Sequence, residues 1–274
     1  MENIEYLYHY TNLETLALIL KNRTIRFNSL DKMDDLQEKE TADIKNIGQF
    51  CYISSWTDND SESIPMWNMY ASLNHGVRIR LRKNPFKIYK NTAADLSIAL
   101  QAPVKDESNG KPMQSIIPLS EMFSKGFMAI QAMTKNLLSK VEYTNDKDKL
   151  YPHMLTQQDG HFTIAMGELG KYKNLHWRFQ REWRYILFIL PLDLKQPVET
   201  SILNFQLIAN KMRLGLEKQP FPYYDMHIAD DAYEDMQVTL SPRISAGSRI
   251  IAQSLIEKYN PSAELCESSL LGLI

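Results

Sequence analysis

Three short clusters of polar and aromatic residues, widely separated in the sequence, contain the side chains best suited to bind a small molecule and act on it. His9 belongs to the first cluster, Tyr70 to the second and Glu182 to the third. A histidine forms directed hydrogen bonds, a tyrosine stacks on a flat ring, and a fixed carboxylate stabilises positive charge that develops in a reaction. Each cluster also has a purely structural interpretation.

The first cluster is the run Tyr8-His9-Tyr10-Thr11. Thr11 precedes Glu14 by three residues, the spacing of a capping box, and apolar residues at helical spacing follow, which predicts a helix that begins here. A polar group at the start of a helix lies where a ligand can meet backbone amides. The alternative is a core histidine whose ring bonds a backbone carbonyl, with Thr11 acting only as a cap.

The second cluster, residues 66–70, contains Trp67 and Tyr70 in a short predicted helix. Residues three apart project from the same face of a helix. This pair could hold a flat ring such as nicotinamide or a base. Aromatic residues at this spacing also pack into protein cores, and core packing is the alternative.

The third cluster, residues 177–184, leads into an apolar run that predicts a strand buried on both faces. Glu182 stands near the start of this strand, with Arg181 before it and Arg184 after it. A carboxylate flanked by arginines stays ionised and oriented, as a ligand-binding group would need to be. The alternative is that Glu182 pairs with an arginine for structural reasons alone.

The composition limits the class of protein. The chain has 274 residues, a net charge of −2 and 44% hydrophobic residues, as in an ordinary globular protein. These values exclude a disordered chain, a disulfide scaffold and a protein with a global basic surface for nucleic acid. The six histidines and two cysteines lack the spacing of metal ligands, so we expect no metal site. We expect a cytoplasmic protein without a signal peptide or a membrane segment.

The order of the predicted elements indicates the fold. Short strands around Phe27, Ile53, Ile79 and Leu187 do not alternate regularly with helices, as strands of a doubly wound parallel sheet would. We therefore predict a single α+β domain over residues 1–274, with helices and a split, mainly antiparallel sheet. Strand signals vanish between about residues 91 and 171, which predicts a mainly helical insertion.

In this order, the three clusters resemble a bacterial family known only as domain of unknown function 2971. Its pattern contains Y-H-Y-T before a helix, a strand of the form L-R-F-S, an acidic N-D-P-x-E, M-W-x-x-Y with a downstream glycine, and W-x-x-E-x-E-Y-R. The matching segments are residues 8–11, 25–28, 66–70 with Gly76, and 177–184. This chain departs from the pattern in three ways. Its acidic segment, residues 34–38, lacks the proline, Gln180 replaces the first glutamate of E-x-E, and Trp183 replaces the tyrosine.

The order of histidine, tyrosine and glutamate also resembles, more remotely, the H-Y-E triad of ADP-ribosyltransferases. The resemblance implies an ADP-ribosyltransferase-like fold and NAD as the substrate. It implies that His9 bonds a ribose hydroxyl, that Tyr70 stacks on nicotinamide, and that Glu182 bonds the 2′-hydroxyl beside the ribose cation left when nicotinamide departs. Other residues that it places near NAD are Tyr10, Thr11, Arg26, Trp67 and Arg184, with Arg78, Arg80 or Arg243 as further candidates for the pyrophosphate.

The function implied by the resemblance is NAD-dependent ADP-ribosyl transfer or NAD glycohydrolysis, in a toxin or an anti-phage effector with an unidentified macromolecular acceptor. The alternative is a non-enzymatic module of the same fold, in which Trp67 and Tyr70 bind a nucleotide or a partner. In a third interpretation, Arg78, Arg80 and Arg82 form the basic outer face of a half-buried strand and bind nucleic acid. No acidic metal cluster accompanies that face in the sequence.

Overall fold

The computed structural model describes residues 4–100, 112–134, 136–158, 161–193 and 198–274. Most of its elements are short, and the longest are a strand of 9 residues and a helix of 16 residues. None of the described helices is both long and apolar enough to cross a membrane.

Strands and helices follow one another in an irregular order along the chain. The first elements are β1 (Tyr6–Asn12), α1 (Leu13–Asn22), β2 (Thr24–Ser29), β3 (Cys51–Thr57), α2 (Ile64–Met66), β4 (Gly76–Arg82), β5 (Tyr89–Asn91), α3 (Ala93–Leu100), β6 (Met113–Ser115), α4 (Leu119–Lys125), β7 (Met128–Ala129), β8 (Leu138–Lys140) and β9 (Glu142–Thr144). The remaining elements are α5 (Lys147–Leu150), β10 (Leu155–Gln158), β11 (His161–Ile164), β12 (Tyr172–Asn174), β13 (Glu182–Leu190), α6 (Val198–Arg213), β14 (Tyr223–His227), α7 (Asp230–Glu234), β15 (Gln237–Leu240), α8 (Ala246–Tyr259) and β16 (Glu264–Cys266).

Ten of these strands form one large sheet. Seven of them follow the order β14-β2-β3-β1-β4-β15-β16, while β13 also pairs with β3 and carries the short strands β7 and β8. Every pairing in this sheet is antiparallel except that of β15 with β16. The predicted α+β class with a mainly antiparallel sheet is therefore confirmed.

The sheet splits at β3. One edge of β3 pairs with β13 along its whole length. On its other edge, β1 pairs with it at Thr57, and β2 pairs with it at Ile53 and Tyr52. Between these points β1 and β2 diverge, so within the described chain residues 54–56 have no ladder partner on this edge. The divergence opens a gap in the sheet between β1 and β2.

The central strands β3 and β13 are buried on both faces. Consecutive residues of β13, such as Leu187 and Phe188, belong to two different apolar clusters on opposite sides of the sheet. In β3, Tyr52 belongs to the first of these clusters and Ile53 to the second. This burial confirms the prediction from the continuous apolar run, because a strand that is covered on both faces has no polar alternation.

The predicted capping box at Thr11 is wrong by one residue. Asn12 caps α1, and its side chain accepts a hydrogen bond of 2.8 Å from the Thr15 N–H. Thr11 is held in β1, where it pairs with Val77 of β4. Tertiary pairing thus extends the strand through a residue that local sequence assigned to the helix cap.

The predicted helical character of residues 91–171 also needs correction. The described part of this segment contains α3, α4 and α5 but equally the short strands β6 to β11. Two of these strands, β7 and β8, pair with β13. Because such pairing is decided by a strand far along the chain, the mixed apolar spacing of the segment did not reveal it.

Candidate functional site

The gap between β1 and β2 contains two adjoining chambers. The outer chamber has a volume of about 380 Å³, within the range of roughly 300–1,000 Å³ for small-molecule sites. The inner chamber has a volume of about 100 Å³. It is smaller than the cavity of roughly 150 Å³ that takes up benzene, so a ring that enters it fills it and extends toward the outer chamber. Six residues line both chambers: His9, Tyr10, Met33, Asp34, Ser55 and Tyr70.

His9 lies on β1 at the junction of the chambers. Its Nδ1 lies 2.9 Å from the carbonyl oxygen of Ser55, one of the residues exposed by the split. Because a carbonyl only accepts, Nδ1 carries the proton and Nε2 is an acceptor. Burial lowers the pKa of His9, and the bond to Ser55 only partly offsets this. His9 is therefore neutral at pH 7 and offers Nε2 to a ligand hydroxyl.

Tyr70 reaches both chambers from a π-helical turn, Trp67–Ala71, that follows α2. The N–H of Ser72 closes this turn by donating to the Trp67 carbonyl at 2.8 Å. Ser72 has φ 78° and ψ 133°, a strained conformation for a residue with a side chain. Both π turns and strained residues occur preferentially at functional sites. The backbone around Tyr70 thus has the features of a functional position.

Gly76, which begins β4 after this turn, has no room for a side chain. A Cβ at this position would lie 2.5 Å from the carbonyl oxygens of Ala71 and Ser72. We expect Gly76→Ala to lower the free energy of unfolding by about 1–3 kcal/mol, as overpacking usually does, in urea unfolding. Gly247→Ala is the control, since a Cβ there meets no atom within 4 Å. Equal stability of the two variants would contradict the steric argument.

Glu182 begins β13, and its side chain lines the inner chamber together with Gln180. The residue between them, Arg181, has a left-handed conformation with φ 45°. Its guanidinium pairs with Asp58 at 2.9 Å. The N–H of Glu182 donates to the hydroxyl of Tyr143 at 2.8 Å. These contacts hold the turn that brings both side chains to the chamber.

Glu182 also belongs to a closed ring of four buried ion pairs, which we call the charge ring. Arg184 lies 2.6 Å from Glu182 and 2.5 Å from Glu38, and Lys173 lies 3.0 Å from each carboxylate. None of the four side chains is more than 8% exposed. Burial acts to raise the pKa of Glu182, but Arg184 and Lys173 outweigh it and hold the pKa well below its usual range. Glu182 is thus ionised at pH 7.

Three further residues expected near NAD line the outer chamber: Tyr10, Thr11 and Arg26. The Arg26 guanidinium is fixed by Asp225, with bonds of 2.9 and 3.0 Å to its two carboxylate oxygens. It also lies 3.5 Å from the ring centre of Tyr223. Asp225 engages one N–H on Nε and one on Nη2 of Arg26, so this pair leaves both N–H groups of Nη1 and the second one of Nη2.

Trp67 and Arg184, also expected to contact NAD, border neither chamber. Trp67 is fully buried, packs edge-to-face on Tyr10 with 4.9 Å between ring centres, and donates to Glu62 at 2.9 Å. Arg184 is fully buried in the charge ring. These two expectations are wrong. Trp67 is enclosed in a small apolar cluster with Tyr10 and Ala71, and the burial of β13 on both faces draws Arg184 inward.

The predicted alternation of β4 is confirmed, since Val77, Ile79 and Leu81 lie in the core, but the face that carries its arginines is partly covered. Arg78 is buried, and its guanidinium lies 4.6 Å from the ring centre of Tyr8. Arg80 packs over Tyr6 in the same way, at 4.3 Å. Arg82 pairs with two aspartates. These arginines are covered or neutralised, and neither they nor Arg243 lines the chambers.

Sequence reasoning missed several residues of the chambers and of the charge ring. Lys173 lies on the three-residue strand β12, which is too short to show a periodic pattern. Glu38 and Asp34 belong to the acidic segment, whose resemblance to the family pattern was the available signal, although it did not indicate a position beside Glu182. Ser55 could be recognised only once the split of the sheet had exposed its carbonyl.

No group of three or more His, Cys, Asp or Glu in the described part of the chain is arranged to hold a metal ion. The side chains that line the chambers are instead suited to bind a polar organic molecule that contains a ring. Comparison of the sequence with protein-family models gives no match, and comparison with curated proteins gives none either.

Proposed function

We propose that the chain binds NAD in the two chambers and breaks its bond between nicotinamide and ribose, as an ADP-ribosyltransferase or an NAD glycohydrolase. The observation that carries the proposal is that His9, Tyr70 and Glu182 all line the inner chamber, although long stretches of sequence separate them. An ADP-ribosyltransferase-like form of the α+β fold belongs to the same proposal.

In this proposal nicotinamide enters the inner chamber, fills its volume of about 100 Å³ and extends toward the adjoining outer chamber. The edge of the ring that carries the carboxamide lies against Tyr70, and the adjoining ribose donates a hydroxyl to Nε2 of His9. The pyrophosphate lies in the outer chamber, which Arg26 and Lys32 line, because guanidinium and ammonium groups pair well with phosphate. Tyr10 and Thr11 complete the wall on the side of β1.

The reaction follows from the charge of Glu182. The bond between C1′ of the ribose and the pyridine nitrogen breaks, and its electron pair leaves with neutral nicotinamide. The ribose then resembles an oxocarbenium ion, and the ionised Glu182 stabilises its charge. Water or an acceptor group supplies an electron pair to C1′ and loses a proton. Because its pKa lies so low, Glu182 acts through its charge and as a hydrogen-bond acceptor, not as a proton donor.

The biological setting of this activity would be a toxin or an anti-phage effector in the cytoplasm. Depletion of NAD or modification of a macromolecule would each follow from the same bond cleavage, with water or a macromolecular group as the acceptor.

One observation favours a second candidate function, a non-enzymatic module that binds a nucleotide. Both oxygens of Glu182 are already bonded, Oε1 to Arg184 and Oε2 to both Arg184 and Lys173. A carboxylate held this way has an evident structural role. The same chambers would then bind NAD or another nucleotide without cleaving it.

The test combines thermal unfolding with an assay for released nicotinamide. We expect NAD at a hundredfold excess over its Kd to stabilise the protein by about 2.7 kcal/mol and to be cleaved. Stabilisation without release would support the binding module. Neither stabilisation nor release, or an equal shift with an inert sugar, would contradict the first candidate, and the same result with other nucleotides would contradict the second.

His9→Asn provides the matched variant for this test. Asparagine can still donate to the Ser55 carbonyl but lacks an acceptor at the position of Nε2. We expect a fold as stable as that of the unsubstituted protein and an affinity for NAD lowered by about two- to tenfold, the scale of one hydrogen bond. An unchanged affinity would remove His9 from the proposed site.

A further inference from the structure

A chain of hydrogen bonds runs from the charge ring to the hydroxyl of Tyr70. The Nζ of Lys173 donates to Oε1 of Gln180 at 2.9 Å. The Nε2 of Gln180 in turn donates to the Tyr70 hydroxyl oxygen. Gln180 is buried, and all three side chains line the inner chamber or reach into it. The direction of each bond in this chain can be derived from the chemistry of its members.

Lys173 sets the orientation of the Gln180 amide. An ammonium group has three donors and no acceptor, so it must face the amide oxygen and not the amide nitrogen. The nitrogen, which only donates, therefore faces Tyr70. The oxygen of Tyr70 must accept this bond, and its own hydrogen points elsewhere. Among the described residues, no hydrogen bond takes up that hydrogen.

The Tyr70 hydroxyl keeps its hydrogen at neutral pH. Burial raises the pKa of Tyr70 above its ordinary value, and the nearby carboxylates of Asp34 and Glu182 raise it further. Tyr70 lines both chambers. The hydroxyl is therefore a donor available to a ligand, while the neighbouring His9 Nε2 is an acceptor.

We propose that Gln180 is a specificity-determining residue, which directs the Tyr70 hydroxyl as a hydrogen-bond donor to a carbonyl group carried by the ring in the inner chamber. The inference rests on the proposed function, and it identifies the carboxamide oxygen of nicotinamide as the acceptor. Gln180 acts through Tyr70 and is a positioning residue. Lys173 positions Gln180 in the same sense.

Replacement of the glutamine by glutamate reverses the polarity of the chain. Both oxygens of a carboxylate only accept, so in Gln180→Glu one oxygen faces Lys173 and the other takes the hydrogen of Tyr70. Tyr70 then presents lone pairs to the chamber. A ligand carbonyl meets an acceptor there, whereas a ligand N–H meets a partner.

Two dinucleotides distinguish a Tyr70 hydroxyl that donates to the ligand from one that accepts from it. NAD carries a carboxamide, which can turn over and offer its NH2 group, whereas the 3-acetylpyridine analogue of NAD carries a carbonyl and no N–H. We expect the unsubstituted protein to bind both with similar Kd. Tyr70→Phe should weaken both by about two- to tenfold, since one hydrogen bond is lost. Gln180→Glu should weaken the acetyl analogue at least severalfold more than NAD.

Binding is measured by calorimetry, with thermal unfolding to verify that each variant is folded. Tyr172→Phe is the control, because the Tyr172 hydroxyl donates to Glu168 and lines neither chamber. The inference is overturned if Tyr70→Phe binds both ligands as tightly as the control does, or if folded Gln180→Glu does not discriminate between them. If Gln180→Glu does not fold, the Tyr70→Phe result decides. Failure of the unsubstituted protein to bind NAD would instead overturn the proposed function.

Discussion

Glu182→Gln is expected to reduce nicotinamide release per folded molecule by about a hundredfold or more and to lower the free energy of unfolding by about 3 kcal/mol. A loss of this size is expected when one preorganised electrostatic group that stabilises the transition state is removed. The loss of stability arises because Lys173 and Arg184 would be left with Glu38 as their one remaining carboxylate in the charge ring. Thermal unfolding and a nicotinamide assay measure the two effects.

Glu38→Gln is the matched control for this prediction. It removes a carboxylate with the same two partners from the same ring, but Glu38 does not line either chamber. We expect a similar loss of stability with activity per folded molecule within a few-fold of normal. If the two variants lose activity equally, Glu182 has no role beyond that of the ring. If Glu182→Gln keeps its activity per folded molecule, the catalytic assignment is wrong.

Arg184→Met is expected to lower the free energy of unfolding by about 3–5 kcal/mol, the usual effect of breaking a buried ion pair. Methionine fills much of the space of the arginine stem but leaves Glu38 and Glu182 with Lys173 as their common cation. The N–H groups that bond Glu182 and the Gly170 carbonyl would also be lost. Urea unfolding gives the magnitude.

Arg26→Met provides the contrast, because both arginines were expected to bind NAD. The Arg26 side chain is 39% exposed, and that of Asp225, its partner, is 32% exposed. We expect a stability change of at most about 1 kcal/mol, as for exposed ion pairs, together with weaker binding of NAD. Equal destabilisation by the two substitutions would show that burial does not separate their roles.

Local patterns in the sequence predicted much of the fold. The continuous apolar run before Pro191 predicted β13 and its burial on both faces, since no polar residue interrupts it. Short alternating runs predicted the strands β2 and β4. Such predictions succeed because periodicity reports how many faces of an element are covered. The prediction for residues 91–171 failed because the strands there are short, and two of them are paired by the distant strand β13.

The candidate site could be predicted only in part. His9, Tyr70 and Glu182 were recognisable as residues with suitable chemistry in an order that resembles a known triad. Their common chamber could not be derived, since it depends on the divergence of β1 and β2 from β3. Trp67 and Arg184 were misassigned because a residue type indicates what a side chain can bind, but not whether a ligand can reach it.

The sequence by itself determined the residue types of the site, the antiparallel class of the sheet and the doubly buried strand that ends at Leu190. These depend on periodicity and composition, which are local. Only the tertiary structure decided which charges meet. Glu38, Lys173 and Glu182 come from a loop and two different strands, and their pairing replaces the water that each charge loses on burial. The direction of the hydrogen bond at the Tyr70 hydroxyl follows from that pairing, because Lys173 orients the Gln180 amide that donates to it. This direction is therefore a property of the folded chain.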